Sequence, residues 1–565
     1  MQAFAEQILK ASLSVGLVIA MLTAGTMASA QANRVEIKPG RSVVRAQNGM
    51  VSSSQPLASQ VGLDVLKRGG NAVDAAIAMA AMLNVTEPMM TGVGGDAFMM
   101  VYWVKSNELK GLNASGRAPK ALTLDYFQKR GLKQMPIRGM EPITVPGAVD
   151  GWVTLLGKYG TMKFADLLQP AIHYAEAGFP VMEKTAEDWG QEIEVLKRDP
   201  AATATYLPNG TSLKAGEIFR NPNLARTLRA LAQGGRDAFY RGEIGRTVVD
   251  YCQKHGGFLT MDDLAIQRAE WVDPISTNYR GYTVYELPPN GQGLTALLAL
   301  NILSNFDVAA MKSQPDLYYH TVIEAMKLAF ADRNRYIADP HFAKVPIAGL
   351  LAKDYAAKRA ALIKPDVALA QPEAGQPDMS STTYFTVVDK DGNAVSFINS
   401  LYEHFGSGIV AGDTGIVLQD RGAGFSLDPN SPNVIAPGKR PFHTLVPAMV
   451  FKDGKLLMSF GVMGGDMQTQ GHVQVLTRII DLGMGLQEAV DAPRFRYVSG
   501  NRVLMEQAMG QEVIDALVKR GDERVTPRGP IRSQMGGAQL IMIDPENGSL
   551  MGASDPRKDG MALGW

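Results

Sequence analysis

The sequence predicts an α+β fold in which helices and an antiparallel sheet form separate layers. In the C-terminal third, three pairs of apolar runs turn at Asp391-Gly392, Asp453-Gly454 and Asn547-Gly548. Asp-Gly or Asn-Gly between such runs is typical of β-hairpins. The N-terminal two thirds shows mainly the apolar spacing of helices, with a few strands. Helices segregated from an antiparallel sheet favour a layered α+β arrangement.

Helical patterns are clearest near the N-terminal end. Residues 57–67 read as a helix that stops at Gly69-Gly70, a common signal for a helix C-terminus. Asn71 can then cap a second helix over residues 73–83. Apolar residues at helical spacing also cover residues 316–336 and 473–482.

A linker ends where a strong β-strand begins. Residues 364–377 contain three prolines and no periodicity, and the strand pattern starts near Ser381-Thr382-Thr383. A hydroxyl residue at such a junction is the arrangement of a self-cleaving N-terminal nucleophile hydrolase. If the Ser381–Thr382 bond breaks, Thr382 gains a free α-amine that can activate its own hydroxyl. Taken alone, however, two threonines more often simply begin a strand.

The first hairpin predicts a neighbour for this threonine. With Asp391-Gly392 as a two-residue turn, Val388 faces Val395, and counting outward places Thr383 opposite Ser400. A second hydroxyl would then lie beside Thr382. A bulge in the hairpin would shift the pairing by one residue.

Acyl transfer also needs N–H groups that stabilise a developing oxyanion. Gly464-Gly465 follows a predicted strand and precedes a predicted helix. Glycines allow close backbone approach to a ligand, and a helix N-terminus favours negative charge. The alternative is a plain strand-to-helix turn.

Composition and motifs exclude several classes of function. Lys+Arg and Asp+Glu both number 56, so no basic excess suggests a nucleic-acid partner. The glycines at 92 and 94 with Ala97 match a relaxed dinucleotide fingerprint, but a helix pattern precedes them and a strand follows, the reverse of the required order. The histidines form no metal-binding pair at i, i+4. We therefore expect no cofactor and no metal.

The N-terminal segment predicts export. Residues 1–30 contain an interrupted apolar stretch and end in Ala28-Ser29-Ala30, the form of a signal-peptidase site. The stretch is too short for a convincing membrane span, although an uncleaved anchor is the alternative. Cys252 is the only cysteine, so no intrachain disulfide can form. These features predict a periplasmic or secreted protein without a stable membrane span.

Taken in order, many short segments resemble the γ-glutamyltransferase (γ-glutamyltranspeptidase) family. Each segment is weak alone, but the ordered set is specific and runs from about Asn48 almost to the C-terminus. The matching segments are residues 84–88 (Asn-Val-Thr-Glu-Pro), 92–95 (Gly-Val-Gly-Gly), 116–119 (Gly-Arg-Ala-Pro), 382–383 (Thr-Thr), 387–395, 405–408 (Phe-Gly-Ser-Gly), 437–441 (Pro-Gly-Lys-Arg-Pro), 464–465 (Gly-Gly), 492–495 (Ala-Pro-Arg-Phe) and 552–557 (Gly-Ala-Ser-Asp-Pro-Arg).

The resemblance implies an N-terminal nucleophile hydrolase fold of stacked αββα layers, made from one autocleaved precursor. It implies a large subunit of residues 31–381 and a small subunit of residues 382–565, cleaved between Ser381 and Thr382. Thr382 would be the nucleophile, Ser400 would match a threonine that hydrogen-bonds to it, and Gly464-Gly465 would form the oxyanion hole. The substrate would be a small-molecule amide such as glutathione, and the acyl group would pass to water or to an acceptor amine.

The substrate pocket departs from the family pattern. The arginine that grips the substrate α-carboxylate aligns with Ser115, although Arg117 lies two residues on, and the aspartate that pairs with the α-ammonium corresponds to Gly424. The remaining candidate substrate-binding residues are Thr383, Tyr402, Arg421, His443 and Thr444.

Arg421 and Arg117 could together bind a carboxylate. This pattern is similar to the acylase-like branch of the family, which includes oxamate amidohydrolases and cephalosporin or glutaryl acylases. Two substrate classes thus stay open: γ-glutamyl amides, and small acidic amides without an α-amino group. A cleaved but inactive binding or scaffold protein is a less favoured reading.

Overall fold

Two seven-stranded antiparallel sheets lie face to face in the computed structural model, and helices cover the outer face of each sheet. The structure describes residues 40–370, 381–527 and 529–565, and from Ser42 onward they form one compact unit. The layer order is therefore αββα, and the predicted fold is confirmed.

The strands alternate along the chain with groups of helices. In chain order the strands are β1 (Val44–Ala46), β2 (Met50–Ser53), β3 (Asp96–Trp103), β4 (Glu108–Ala114), β5 (Phe179–Pro180), β6 (Ile218–Phe219), β7 (Glu270–Val272), β8 (Ile275–Tyr279), β9 (Tyr282–Glu286), β10 (Ser381–Val388), β11 (Ala394–Tyr402), β12 (Ala448–Lys452), β13 (Lys455–Met463), β14 (Phe495–Ser499), β15 (Arg502–Met505), β16 (Glu523–Arg524), β17 (Gly537–Ile543), β18 (Leu550–Ser554) and β19 (Met561–Gly564).

The α-helices of the described residues range from one turn to six turns. They are α1 (Pro56–Lys67), α2 (Ala72–Thr86), α3 (Leu124–Lys129), α4 (Ala148–Tyr159), α5 (Phe164–Ala177), α6 (Glu183–Gly190), α7 (Ile193–Leu196), α8 (Pro200–Tyr206), α9 (Pro222–Tyr240), α10 (Glu243–Lys254), α11 (Met261–Ala265), α12 (Gly293–Leu303), α13 (Pro315–Tyr336), α14 (Ile347–Leu350), α15 (Lys353–Ala360), α16 (Met467–Ile480), α17 (Leu486–Asp491), α18 (Gln511–Arg520) and α19 (Ile531–Gln534).

Each sheet combines strands from both sides of the predicted cleavage point. The first sheet has the order β1-β18-β17-β13-β12-β9-β8, and the second has the order β19-β2-β10-β11-β3-β4-β7. Helices α12, α16 and α17 pack on the first sheet, and α1, α2 and α4 pack on the second. Apolar side chains such as Met50, Phe98, Ile398 and Ile541 fill the space between the sheets. This burial removes large apolar areas from water and stabilises the sandwich.

The sequence assigned the sheet mainly to the C-terminal third, and this part of the prediction was incomplete. Half of the fourteen strands in the two large sheets precede residue 371. Strand β2 is buried at every position and β3 over its first six residues, so these two lack the alternation of apolar and polar residues that marks a half-exposed strand.

The predicted helices near the N-terminal end are confirmed. The helix predicted over residues 57–67 is α1, and the helix predicted over residues 73–83 extends to Thr86. Asn71 caps α2 as predicted, since its side chain accepts the N–H groups of Val73 and Asp74 at 2.9 and 3.0 Å. Helices α13 and α16 account for the two later patterns, although α16 begins six residues earlier than predicted.

All three predicted hairpins form, but the register predicted for the first hairpin is wrong by one residue. Val388 pairs with Ala394, and Thr383 pairs with Asn399 instead of Ser400. The loop has three residues because the Asp389 N–H donates to the Asn393 carbonyl at 3.0 Å. Three-residue hairpin loops of this kind place a glycine in the left-handed region at the end of the turn.

The end of the predicted linker and the N-terminal segment lie outside the described residues. The described beginning of the linker is held against α13 and α18, since the Leu369 N–H donates to Glu324 at 2.7 Å and the Ala368 N–H donates to the Arg520 carbonyl at 2.7 Å. The predicted signal peptide, residues 1–30, is also outside them. Within the described part of the chain, no helix combines the length and apolar character that crossing a membrane requires.

Candidate active site

Thr382 lies in a buried cluster of polar side chains. A bulge in the β10–β11 pairing between Ser381 and Thr383 brings Thr382 next to Ser400 despite the corrected register. The Thr382 Oγ1 atom is 3.2 Å from the Ser400 Oγ atom, and the Gln468 side-chain amide donates to it at 3.4 Å. We call Thr382, Ser400, Arg421, Thr444 and Gln468 the Thr382 cluster.

Thr383 lies outside this cluster. Its hydroxyl donates to the Glu87 carboxylate at 2.6 Å, at the end of α2, because neighbouring residues of a strand point to opposite faces. Burial raises the pKa of Glu87, while hydrogen bonds from Ser54 and Thr383 oppose this shift. The structure therefore does not support the prediction that Thr383 binds substrate.

Gly464 and Gly465 connect β13 to α16. Their φ angles are 118° and 58°, in the region that favours glycine. Among the described residues, no hydrogen bond is donated by either backbone N–H. The Gly465 carbonyl is held by the Gln292 amide at 2.9 Å. The geometry leaves two N–H groups at a helix N-terminus for an anion, and their role as oxyanion donors stays a prediction.

Sequence reasoning missed Gln468. It lies in the first turn of α16, three residues after Gly465. Its Oε1 atom accepts the Val446 N–H at 3.0 Å, and this bond turns the amide NH₂ group toward Thr382. Its position was the only signal in the sequence. A side chain in the first turn of the helix that follows Gly464-Gly465 faces the ligand that those glycines bind.

Arg421 joins the cluster as predicted. Its two terminal nitrogens donate to Ser400 at 3.1 Å and to Thr444 at 2.9 Å, and its Nε atom has no hydrogen-bond partner in the described part of the chain. The Tyr402 ring stacks on the guanidinium at 4.2 Å. Burial lowers the pKa of Arg421, and nearby Asp96 opposes this.

Two donors among the described residues hold the Ser400 hydroxyl oxygen. Besides Arg421, the Tyr402 N–H donates to Ser400 Oγ at 2.8 Å. Tyr402 has a φ of 87°, a strained value for a residue with a side chain, and such strain is concentrated at functional sites. The ring also lines a cavity of about 350 Å³. The Tyr402 ring therefore contacts both the cavity and the Arg421 guanidinium.

Asp96 and His443 form a buried pair behind Arg421. The His443 Nδ1 atom accepts the Leu445 N–H at 3.2 Å, so we assign the ring proton to Nε2, which lies 3.2 Å from Asp96. Burial lowers the pKa of His443 well below its usual range. His443 is therefore neutral and is a poor ligand for a substrate carboxylate, contrary to its predicted role.

Asp96 accepts several hydrogen bonds that no pattern in the sequence indicated. Its Oδ1 atom accepts the N–H groups of Gly116 and Gly147 at 2.9 and 3.1 Å and the Gln419 amide at 2.9 Å. Burial raises the pKa of Asp96 to about 6, while the charge of Arg421 opposes the shift. The sequence placed Asp96 in the Gly94-Gly95 segment but gave it no role.

Arg117 lies elsewhere. Its guanidinium donates to Glu270 at 2.8 Å and to the Gly438 carbonyl at 3.1 Å. It does not line the Tyr402 cavity. The predicted pairing of Arg117 with Arg421 on one carboxylate is therefore not supported, because β7 supplies Arg117 with a carboxylate from within the protein.

One group of buried side chains has the residue types of a metal site. The ligand atoms of His320, Glu324 and Asp522 lie within 4.8 Å of one another. The Lys327 ammonium, however, is 2.7 Å from each carboxylate. A cation is thus already supplied by the protein, and the group explains no further chemistry.

Comparison with known proteins identifies the relatives of this chain. The family model described as gamma-glutamyltranspeptidase matches residues 58–565. The chain belongs to the γ-glutamyltranspeptidase family. It is 42% identical to the glutathione hydrolase-like YwrD proenzyme of Bacillus subtilis over 91% of this chain and 98% of that protein. It is 37% identical to the oxamate amidohydrolase proenzyme of Klebsiella pneumoniae, over 92% and 98% of the two chains.

A solved structure agrees with this assignment. The crystal structure of cephalosporin acylase from Bacillus halodurans matches with a TM-score of 0.88 and 45% identity, over 94% of this chain and 98% of that chain. The chain is therefore an amide-cleaving enzyme of the γ-glutamyltranspeptidase family, and the predicted family, fold and enzyme class are confirmed.

Proposed function

We propose that Thr382 is the nucleophile of a self-cleaving amidase. The observation that supports this most is the buried Thr382 hydroxyl, placed between the Ser400 hydroxyl and the Gln468 amide. The amide nitrogen of Thr382 is not basic within an intact chain. Cleavage before Thr382 would convert it into an α-amine with a pKa near 7.7–8.0, which can accept the hydroxyl proton at neutral pH.

In the cleavage step, Thr382 Oγ1 attacks the Ser381 carbonyl carbon. The peptide C–N bond breaks as the acyl group moves to oxygen, the hydroxyl proton passes to the departing nitrogen, and water then hydrolyses the ester. The products are a large subunit ending at Ser381 and a small subunit, residues 382–565, beginning with Thr382. Since Arg421 and the Tyr402 N–H donate to Ser400 Oγ, the Ser400 proton serves to orient the Thr382 oxygen.

In turnover, the same oxygen attacks the substrate amide and its proton passes to the α-amine. The Gly464 and Gly465 N–H groups stabilise the oxyanion, a contribution typically worth about 3–4 kcal/mol for one donor. The α-ammonium returns the proton to the leaving amine. Water or an acceptor amine then releases the acyl group from Thr382.

Arg421 indicates an acyl group that carries a carboxylate. A guanidinium has five N–H donors, and two of them are used by Ser400 and Thr444. A buried arginine with unused donors so close to the nucleophile fits an acidic substrate. The relatives named glutathione hydrolase and oxamate amidohydrolase both act on compounds with a carboxylate. Hydrolysis of a small acidic amide without an α-amino group is the second candidate activity.

Residues 1–30 support a further proposal, that the enzyme is exported. The apolar stretch and Ala28-Ser29-Ala30 fit a cleaved signal peptide and a periplasmic or secreted location. N-terminal sequencing of the large fragment from cells tests this. A fragment that begins at Met1 in the cytoplasm would contradict it.

The nucleophile is tested with two substitutions at one position. Purified wild-type protein should run as two fragments on a denaturing gel, and the smaller should begin with Thr382. Thr382→Ala should leave one chain without amidase activity, while Thr382→Ser keeps a hydroxyl and should cleave more slowly. Efficient cleavage of Thr382→Ala, or full activity of an unbroken chain, would overturn the proposal.

A further inference from the structure

The side-chain amide of Gln468 has a fixed orientation. Its Oε1 atom accepts the Val446 N–H at 3.0 Å, so the end that lies 3.4 Å from Thr382 Oγ1 is the NH₂ group. Gln468 is fully buried, and its own backbone N–H donates to the Gly465 carbonyl at 3.0 Å. The amide therefore donates to the nucleophile oxygen and cannot accept its proton.

A second glutamine holds the two segments that meet at this amide. The Gln292 side chain donates to the Thr444 carbonyl and to the Gly465 carbonyl, both at 2.9 Å. Thr444 lies two residues before Val446, and Gly465 lies three residues before Gln468. The donor is therefore positioned before any reaction takes place, which is the condition for effective electrostatic stabilisation.

The contacts of Thr382 Oγ1 assign its hydrogen-bonding roles. Ser400 Oγ accepts from Arg421 and from the Tyr402 N–H, so its own proton is directed to Thr382 Oγ1, 3.2 Å away. Gln468 supplies a second donor to the same oxygen. A hydroxyl has two acceptor positions and one proton. Both acceptor positions of Thr382 are thus used, and its proton is left for the α-amine that cleavage creates.

The Gln468 contact is long for a hydrogen bond between neutral groups. Such N–H···O bonds are typically about 2.9–3.0 Å long, so the distance of 3.4 Å leaves room to shorten. Bonds to a charged oxygen are shorter and about twice as strong as neutral ones. The donor therefore contributes little while Thr382 is a hydroxyl and most when negative charge develops on its oxygen. A difference of this kind lowers a reaction barrier.

This difference is largest when the acyl group leaves Thr382. In the acyl-enzyme, Oγ1 is an ester oxygen, a weak acceptor because it shares an electron pair with the carbonyl group. Water adds to the acyl carbon and gives a proton to the α-amine. The C–Oγ1 bond then breaks, its electron pair stays on Oγ1, and the α-ammonium returns the proton to that oxygen. In acylation the change is smaller, because the hydroxyl already accepts the bond in the free enzyme.

We propose that Gln468 is a catalytic residue that stabilises the Thr382 oxygen as it separates from the acyl group. It acts in substrate turnover and in hydrolysis of the Ser381 ester during cleavage of the precursor. The inference rests on the proposed function of Thr382 and holds for both candidate substrate classes.

The test separates acylation from deacylation. Gln468→Met removes the amide but keeps an unbranched side chain of similar length. It is assayed with γ-glutamyl- or glutaryl-p-nitroanilide, whichever the wild-type enzyme cleaves faster. We expect the rate constant of deacylation to fall about 10- to 100-fold, the usual effect of losing a hydrogen bond to a charged group. The value of kcat/KM, which reports the steps up to acylation, should change by less than about threefold.

The accumulated acyl-enzyme should be visible as a burst of p-nitroaniline before the steady state. Gln474→Met is the matched control, because Gln474 is a buried glutamine of the same helix whose side chain bonds to the backbone of Phe495 and Gln470. It should lower the melting temperature without producing a burst. A wild-type deacylation rate in Gln468→Met, or a fall in kcat/KM as large as that in kcat, overturns the inference.

A second variant covers the case in which Gln468→Met does not fold. Gln468→Glu keeps the Oε1 atom for the Val446 N–H, but an ionised carboxylate has no donor. It should show the same slow deacylation. If it matures slowly, the retained chain should carry the Ser381 ester, which hydroxylamine cleaves into two fragments. Deacylation at the wild-type rate, or a retained chain that resists hydroxylamine, contradicts the role of Gln468.

The outcomes also separate this inference from the proposed function. If wild-type protein cleaves no amide and Thr382→Ala is still processed, the proposed function fails. If wild-type protein is processed and active and Thr382→Ala is neither, but Gln468→Met deacylates normally, only the role of Gln468 is overturned.

Discussion

The protein buries two histidine–carboxyl pairs in similar surroundings but with different neighbours. His443 contacts Asp96 at 3.2 Å beside the Thr382 cluster, and His472 of α16 contacts Glu286 at the end of β9 at 2.8 Å. In each pair the second ring nitrogen accepts a backbone N–H, so both rings are neutral. Burial lowers the pKa of His472 to about 3.

The carboxyl groups of the two pairs differ more than the rings. Burial raises the pKa of Glu286 well above its usual range, and its Oε2 atom has no hydrogen-bond partner in the described part of the chain. Asp96 is equally buried, but three N–H donors and the charge of Arg421 hold its pKa at about 6. Asp96 is thus ionised at neutral pH, whereas Glu286 favours its neutral form.

The difference shows that a buried histidine–carboxyl pair can have a purely structural role in one place and can balance a buried charge in another. Asp96 balances the buried Arg421, which contacts Ser400 and so reaches the nucleophile. Among the described residues, the His472 side chain bonds only to Glu286 and to the Val462 N–H, and the Glu286 side chain bonds only to His472. Five predictions test this contrast, from the largest expected effect to the smallest.

Replacing the charged member of the active pair should have the largest effect. Asp96→Asn places an amide NH₂ group against N–H donors whose hydrogen bonds the carboxylate now accepts, such as those of Gly116 and His443, and each buried donor left unpaired typically lowers the free energy of unfolding by about 1–3 kcal/mol. Denaturant unfolding of the unprocessed protein measures this, and a gel measures the loss of processing. A change below about 1 kcal/mol with normal processing would contradict the role of Asp96.

Arg421→Lys should reduce kcat/KM about 10- to 100-fold, because a single ammonium cannot reproduce the fork that reaches Ser400 and Thr444 together. Arg478→Lys is the control: Arg478 is equally buried but donates to backbone carbonyls. It should lower the melting temperature without a specific effect on processed enzyme. Equal kinetic effects of the two substitutions would mean that Arg421 acts only through stability.

The pH dependence of kcat/KM should report the protonation of Asp96. As pH falls through about 6, Asp96 becomes protonated and kcat/KM should decrease by up to about 10-fold for each unit. Any residual activity of Asp96→Asn should lack this inflection, although the decrease due to the Thr382 α-amine remains.

The free energy of unfolding should change with pH in the opposite direction to kcat/KM. The folded protein holds this proton more tightly than the unfolded chain, so Asp96 alone makes the free energy of unfolding increase as pH falls from about 6 to 3.8. Unfolding of wild-type and Asp96→Asn protein across this range isolates the contribution. Parallel pH dependences of the two proteins would show that Asp96 does not titrate there.

Glu286→Gln should have the smallest effect. Because the neutral carboxyl is favoured at Glu286, an amide of the same shape should change the free energy of unfolding by no more than about 1 kcal/mol. Processing and kcat/KM should be unchanged within about twofold. A loss as large as that of Asp96→Asn would show that both pairs are charged and would remove the contrast.

Local signals in the sequence predicted the main features of the fold. The Asn71 cap and the Asp-Gly and Asn-Gly turns are local, so the helices and hairpins they begin or connect were correctly predicted. The register near Thr382 could not be predicted, since it depends on how Asp389 bonds to the N–H groups of its own loop. Among the buried N-terminal strands, the strand predicted after Gly94-Gly95 is confirmed as β3, whereas β2 was missed because it lacks alternation.

The candidate site was predictable only where one residue type implies the chemistry. Thr382, Ser400 and the two glycines were found through motif order, and Arg421 through its departure from the family. Asp96 and Gln468 were missed, because each acts through a hydrogen-bond partner more than 80 residues away in the sequence.

The alternation of strands from both sides of residue 371 in each sheet has a consequence for how the enzyme can be made. β10 is hydrogen-bonded to β2 on one side and to β11 on the other, and β12 is bonded to β9. Neither half alone could complete a sheet, so a nick before Thr382 would leave the two pieces interlocked. Separately expressed halves should therefore aggregate, and the order of events must be folding first and scission afterwards.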